Sequence, residues 1–182
     1  MIILGVDPGT LFTGYAVIGG VNEKLILLES GVIKMPPTNK LPLRLKQIYD
    51  KLVEVIETYI PDEFAIETAF YGKNVQSTLK LGHARGVSIL AAVNKQIPTT
   101  EYSPREVKKS VVGTGTASKE QVRYIVCQIF KIKKPPKQLD ISDAIAVAMC
   151  HHNKLTNVKS SKYSLNWEEY VEQNPTKVRR QT

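Results

Sequence analysis

The spacing of apolar residues changes near residue 40, and this change limits the chain to folds that combine strands with helices. Before it, apolar runs at Ile2–Val6, Gly14–Ile18, Leu25–Leu28 and Gly31–Ile33 are separated by short spacers, a pattern that predicts a meander of antiparallel strands. After it, apolar residues recur at three and four positions from Leu41 to Ile60, which predicts a helix. The first third of the chain therefore indicates an α/β protein.

The remainder of the chain alternates short strands with helices. The predicted strands are Glu63–Glu67 and Thr99–Tyr102, and the predicted helices are Asn74–Gln96, Pro104–Val112, Ser118–Phe130 and Asp140–His152. This order predicts one α/β domain over residues 1–153, with a five-stranded mixed sheet flanked by helices. Residues 154–182 are polar and lysine-rich, with one short amphipathic patch at Trp167–Val171. We expect them to form a basic C-terminal tail.

Four carboxylates stand at the ends of these predicted elements. Asp7 ends the first strand, Glu67 ends the fourth, and Asp140 and Asp143 lie three apart in the last helix. If the first and fourth strands are neighbours, Asp7 and Glu67 converge at one sheet edge. Clustered carboxylates repel one another unless a cation compensates, which favours two Mg²⁺ ions and phosphodiester hydrolysis. Singly, Asp7 also has a structural explanation as a turn residue, and Asp140 or Asp143 has one as a helix N-cap.

Basic residues concentrate in one part of the chain. The 182 residues carry a formal charge of +8, and residues 95–137 hold ten basic and three acidic residues, a net charge of +7. Such a segment is typical of a protein that binds phosphates, although a solvated surface also explains it. Two cysteines and the absence of a long apolar run predict a cytoplasmic protein with no membrane association.

Several of these segments resemble the RuvC family of Holliday-junction resolvases. The matching segments follow one another in the family's order over residues 1 to about 153. They are Ile3–Thr10 with Thr13–Ala16, Glu67–Asn74, Leu79–Gly86, Val107–Gly113, Gly115–Lys119 and Asp140–Ala148. The resemblance implies an RNase H-like fold and a homodimer that acts in recombination and DNA repair.

The resemblance also implies an activity, its cofactors and its partners. The expected reaction is Mg²⁺-dependent paired hydrolysis of two strands of a four-way DNA junction, which leaves 5′-phosphate and 3′-hydroxyl nicks. Two Mg²⁺ per active site are expected, with Mn²⁺ able to substitute, and the implied metal ligands and catalytic residues are Asp7, Glu67, Asp140 and Asp143. The branch-migration complex RuvA–RuvB is the implied partner.

The same matching positions imply a set of DNA contacts. Phe70 is expected to stack on an unpaired base at the crossover, because every base has a π-face; a core position just past a strand is the alternative. Lys108 and Lys119 are expected near the scissile backbone, where a cation stabilises charge on the phosphate. The complete set of expected DNA-binding residues is Phe70, Lys73, Lys80, Arg85, Lys108, Lys109 and Lys119.

Two other functions remain open from the residues themselves. One is a different nuclease of the same fold, such as an RNase H or a 3′→5′ exonuclease, which the order of acids and the basic segment disfavour. The other is a non-catalytic junction-binding protein, which the presence of all four acids disfavours. For the expected homodimer, the helix Val75–Val93 is the predicted contact, because its apolar residues spread wider than one core face.

Overall fold

The strands and helices follow the predicted order closely. The protein is described by a computed structural model over residues 1–21, 24–68 and 75–156. The strands are β1 (Ile2–Asp7), β2 (Phe12–Val21), β3 (Lys24–Lys34), β4 (Glu63–Glu67) and β5 (Thr99–Tyr102). The helices are α1 (Leu41–Tyr59), α2 (Val75–Val93), α3 (Pro104–Val112), α4 (Lys119–Ile129) and α5 (Leu139–Leu155).

One mixed sheet joins all five strands in the order β3-β2-β1-β4-β5. β2 pairs antiparallel with both β1 and β3, which confirms the predicted meander. β4 and β5 continue the sheet parallel to β1. β1 is therefore the strand at which the antiparallel and parallel halves of the sheet meet.

Side chains of the central strands alternate between two hydrophobic cores. On one face, Ile3 of β1 and Ala65 of β4 pack with α3, α4 and α5. On the other face, Leu4 and Val6 of β1 and Phe64 of β4 pack with α1 and α2. Because alternate strand residues share a face, Asp7 and Glu67 belong to the face that α5 covers.

Two glycines allow α5 to lie directly against the sheet. A Cβ added to Gly5 of β1 would lie 2.4 Å from the carbonyl oxygen of Ala144, and one added to Gly14 of β2 would lie 1.9 Å from that of Asp140. Any side chain at either position would push the helix away. Glycine inside a strand often marks such a close backbone approach.

Local signals fix where α3 and α4 begin. Ser103 and Ser118 each form a capping box, in which the serine hydroxyl accepts from the amide of the third helical residue, Glu106 or Gln121. Ser103 is therefore the N-cap of α3, whose start at Pro104 has the predicted position. Lys119 is thereby held at the first position of α4.

The predicted helix ends differ from the observed ones by a few residues. The helix predicted over Asn74–Gln96 ends at Val93, and Gln96 adopts a left-handed conformation with φ 59°. α5 continues to Leu155, so the first residues of the predicted tail extend this helix. No helix within the described ranges is long and apolar enough to cross a membrane.

Candidate active site at the carboxyl end of the sheet

Asp7 and Glu67 lie side by side where two parallel strands end. Val6 pairs with Ile66 in the parallel ladder of β1 and β4, so the next residue of each strand is the acid. The predicted convergence of Asp7 and Glu67 required these two strands to be neighbours, and they are. The carboxyl edge of the sheet is the usual place for a ligand site in α/β folds.

The first turn of α5 brings two more acids to this edge. Gly14 pairs with Asp7 in the β1–β2 ladder, and the backbone of Asp140 lies against Gly14. Asp143, one turn later, is buried with 9% of its surface exposed. Three elements distant in sequence therefore deliver four carboxylates to one place.

Burial and mutual repulsion make the acids reluctant to ionise together. Burial, followed by the charges of Glu67 and Asp143, raises the pKa of Asp7 well above its ordinary value. Burial and then Asp143 raise the pKa of Glu67 to about 7, against the opposing effect of Lys119 and Lys108. Burial also raises the pKa of Asp143. This cluster carries more negative charge than its surroundings neutralise.

Two lysines supply the positive charge nearest the acids. The Lys119 ammonium donates to Asp143 Oδ2 at 2.6 Å, with 57% of the lysine side chain exposed and 11% of the aspartate. Lys108 of α3 is half-buried and acts electrostatically on both Glu67 and Asp143. Both lysines line a pocket of about 200 Å³ that also contains Glu67 and Asp143.

The donor set suits a hard divalent cation. Carboxylate oxygens are the ligands that Mg²⁺ and Ca²⁺ take, and a cation would relieve the repulsion that raises these pKa values. Within the described ranges, no three acidic, histidine or cysteine side chains already surround one metal position. Lys119 instead occupies the neighbourhood of Asp143, so binding a metal requires this ammonium and the carboxylates to rearrange.

The remaining expected DNA contacts are distributed more widely. Lys80 on α2 and Lys109 on α3 are exposed. Arg85 is half-buried and forms an ion pair with Glu101 of β5, so its charge is partly neutralised. Phe70 and Lys73 lie outside the described residues, and so does the amphipathic patch of the tail.

Sequence reasoning missed the residues that shape the site without carrying charge. Gly5 and Gly14 set the approach of α5, and their signal was glycine inside an otherwise good strand pattern. The Thr13 side chain is fully buried; its Oγ1 donates to the Gly9 carbonyl at 2.7 Å and accepts from the Gly9 amide at 3.2 Å. Thr13 thus fixes the turn that follows Asp7.

Comparison with known proteins gives a consistent set of relatives. A family model described as crossover junction endodeoxyribonuclease RuvC matches residues 3–151. A protein of that name from Chloroherpeton thalassium is 47% identical over 184 residues, covering 98% of this chain and 99% of the relative. Another from Shewanella piezotolerans is 50% identical over 152 residues, covering 84% and 87%. A structure of Thermus thermophilus RuvC with a Holliday junction substrate matches with TM-score 0.80 and 30% identity, covering 85% and 94%.

Proposed function

The chain belongs to the RuvC family of crossover junction endodeoxyribonucleases, and we propose that Asp7, Glu67, Asp140 and Asp143 are the catalytic residues with which it resolves Holliday junctions. The fold is the RNase H-like fold of these resolvases. The convergence of these acids from β1, β4 and α5 on one sheet edge, with a lysine ammonium among them, is the observation that carries the proposal.

The four acids would hold the divalent metal that nucleases of this family generally need, and we propose two Mg²⁺ ions, with Mn²⁺ as a substitute. When bound, such ions activate a water and stabilise the leaving 3′ oxygen of a phosphodiester. Asp7 and Glu67 are held by the ends of paired strands, and Asp143 by a buried turn of α5. These supports fix the backbone positions of the ligands, so the rearrangement that metal binding requires is confined to side chains.

Lys119 and Lys108 have a different task in the proposed site. Their ammonium groups border the pocket beside Glu67 and Asp143, where the phosphate of a bound strand would lie. A lysine there stabilises the negative charge that builds up on the phosphate during hydrolysis. Once a cation compensates the acids, Lys119 no longer has to neutralise Asp143 and can turn toward the phosphate.

The assignment is tested by removing one acid and comparing cleavage with binding. Asp7→Asn should abolish nicking of a synthetic four-way junction in Mg²⁺, while binding measured in Ca²⁺ stays as tight or becomes tighter, because less negative charge faces the phosphates. The same result is expected for Glu67→Gln, Asp140→Asn and Asp143→Asn. Asp50→Asn on the exposed face of α1 is the matched control and should nick normally.

Two results would count against the assignment. Near-normal nicking by Asp7→Asn would remove this acid from the catalytic site. Preferential hydrolysis of an RNA–DNA hybrid over the junction by the unmodified chain would favour an RNase H, and junction binding without cleavage in Mg²⁺ or Mn²⁺ would favour a binding protein. The cleavage products should carry 5′-phosphate and 3′-hydroxyl ends.

We further propose that the enzyme acts as a homodimer through α2. Large apolar side chains on one side of this helix are exposed, and nothing lies within 4 Å of a Cβ added to its two glycines. Together they form a stripe at helical spacing, the α2 stripe: Val75, Leu79, Gly82, Gly86, Leu90 and Val93. Small residues in such a stripe let a second helix approach closely.

Sedimentation tests the dimer directly. Leu79→Asp should convert a dimer to a monomer, because the charge would be desolvated in the interface. Leu43→Asp, at an exposed leucine on α1, should leave the dimer intact. A monomeric unmodified chain would contradict this proposal.

We also propose that the protein works with the branch-migration complex RuvA–RuvB and that it is located in the cytoplasm. Membership of the RuvC family supports both proposals. Co-purification of the chain with RuvA–RuvB on a four-way junction, compared with a linear duplex of equal length, tests the first. Fractionation of cells that express the chain tests the second.

A further inference from the structure

We propose that the Trp167–Val171 segment of the same chain docks into a partly apolar groove at the amino edge of the sheet, opposite the acid cluster. The groove has a volume of about 320 Å³ and is lined by five apolar residues, among them Ile60, Pro61 and Pro98, and by four polar ones, among them the paired Lys95 and Glu57. It lies on the face of the sheet that α1 and α2 cover. The proposal concerns a surface remote from catalysis and does not depend on the proposed metal site.

Ile60 is the residue that points to a missing occupant. It follows the last residue of α1 in a left-handed conformation, with φ 47° and ψ 61°, which is unfavourable for a β-branched side chain. Yet 77% of its surface is exposed. Among the described residues, nothing covers this side chain. No contact therefore compensates for its backbone strain or for its exposure to solvent. Glycine or asparagine is the usual residue at such a helix end.

The start of the tail lies at the same edge of the sheet as the groove. α5 runs from the acid cluster toward the amino ends of β1 and β4, and His151 Nε2 lies 3.3 Å from Glu63 Oε2 at the first residue of β4. Pro61 lines the groove and precedes the first residue of β4 by two positions. The tail therefore has to pass around this edge, from the α5 face to the α1 face, to reach the groove.

The length of the tail is sufficient for this path. The two helix layers on opposite faces of a sheet lie on the order of 20 Å apart, since each helix is about 10 Å across. Trp167 is 11 residues beyond Thr156, and an extended chain of that length spans up to ~36 Å. The segment is therefore long enough to span from one helix layer to the other.

The composition of the segment suits a groove with both apolar and polar lining residues. Trp167 and Tyr170 combine large apolar surface with polar groups at their ring edges, and Val171 adds further apolar surface. Such aromatic residues favour sites where one end is buried and the other is wet. The segment also lies beyond residue 151, where the family match ends.

The chain contains one tryptophan, so intrinsic fluorescence reports on Trp167 without labelling. In the full-length chain we expect a blue-shifted emission that acrylamide quenches poorly. Ile60→Gly removes the apolar side chain while relieving the left-handed strain. This variant should retain or gain thermal stability, and yet its emission should shift to the red and its quenching constant should rise several-fold. Leu43→Ser, at the exposed far end of α1, is the control and should leave the emission unchanged.

Three outcomes would overturn the proposal. One is a quenching constant in the unmodified chain equal to that of N-acetyltryptophanamide, because Trp167 would then be in solvent. Another is a shielded Trp167 that is insensitive to Ile60→Gly, which would place it elsewhere. The third is shielding lost on dilution together with the dimer, which would make a second copy the occupant.

Discussion

Replacing Lys119 by methionine tests whether this ammonium stands in for a metal ion in the acid cluster. The change keeps most of the apolar stem and removes the charge that bonds Asp143 Oδ2 at 2.6 Å. A surface ion pair contributes about 0–1 kcal/mol, and breaking a buried pair costs about 3–5 kcal/mol. Because Asp143 is nearly buried while Lys119 is half-exposed, we expect Lys119→Met to lower the free energy of unfolding by about 1–3 kcal/mol at pH 8 without metal.

The dependence on metal separates this explanation from a simple packing effect. Urea unfolding of both proteins in EDTA and in excess Mg²⁺ should show the gap closing when Mg²⁺ is present, because the cation then neutralises the acids. Stabilisation by Mg²⁺ should accordingly be larger for the variant. Lys51→Met removes an exposed pair of the same 2.6 Å length on α1 and should cost at most about 1 kcal/mol in either buffer. An equal loss for Lys119→Met in both buffers would refute the reasoning.

Three further changes probe the site from other directions. The pKa of Glu67 in the folded protein is about 7, above its ordinary 4.5. The folded metal-free protein therefore binds an extra proton in this window and loses stability as pH rises through it. As pH rises from 5 to 8, the unfolding free energy of Glu67→Gln should gain ~1–3 kcal/mol relative to the unmodified chain, measured by urea unfolding in EDTA. Gly14→Ala places a Cβ 1.9 Å from the Asp140 carbonyl oxygen, so it should lower the unfolding free energy by about 1–3 kcal/mol and abolish nicking. Gly20 has open space around it, so Gly20→Ala is the control and should nick normally. Equal behaviour of the two variants would contradict the packing argument. Lys108→Ala should reduce the slope of log affinity against log salt by about one, since each phosphate contact contributes ~0.9, and a variant unchanged in both slope and cleavage would remove Lys108 from the DNA path.

Local signals account for the part of the fold that the sequence predicted well. Prolines at 61 and 98 precede β4 and β5, and both strands have the predicted bounds. Ser103 followed by Pro104 predicted the start of α3, and the capping box confirms it. These signals act over a few residues, so their physics is contained in the local sequence.

Contacts between distant residues account for what the sequence could not supply. The pairing of β1 with β4 bridges about sixty residues, and it was a condition of the site prediction rather than a result. Lys119 and Asp143 are 24 residues apart, and no spacing rule links them. The left-handed Ile60 was missed for a different reason, because the sequence offers no glycine where α1 ends.

The helix that carries two of the four acids, α5, also holds the cluster together by its packing. Most of α5 beyond its first turn is buried in the core, including Ala144, Ile145 and Ala148. Burying such a helix contributes more than the few kcal/mol that the repelling carboxylates cost, so the metal-free chain can fold with the acids already close. Since the same packing against Gly5 and Gly14 prevents α5 from moving away, the repulsion cannot relax by separation. The remaining ways to relieve it are protonation, the Lys119 ammonium or a bound cation, which is why the cluster should select a divalent metal near neutral pH.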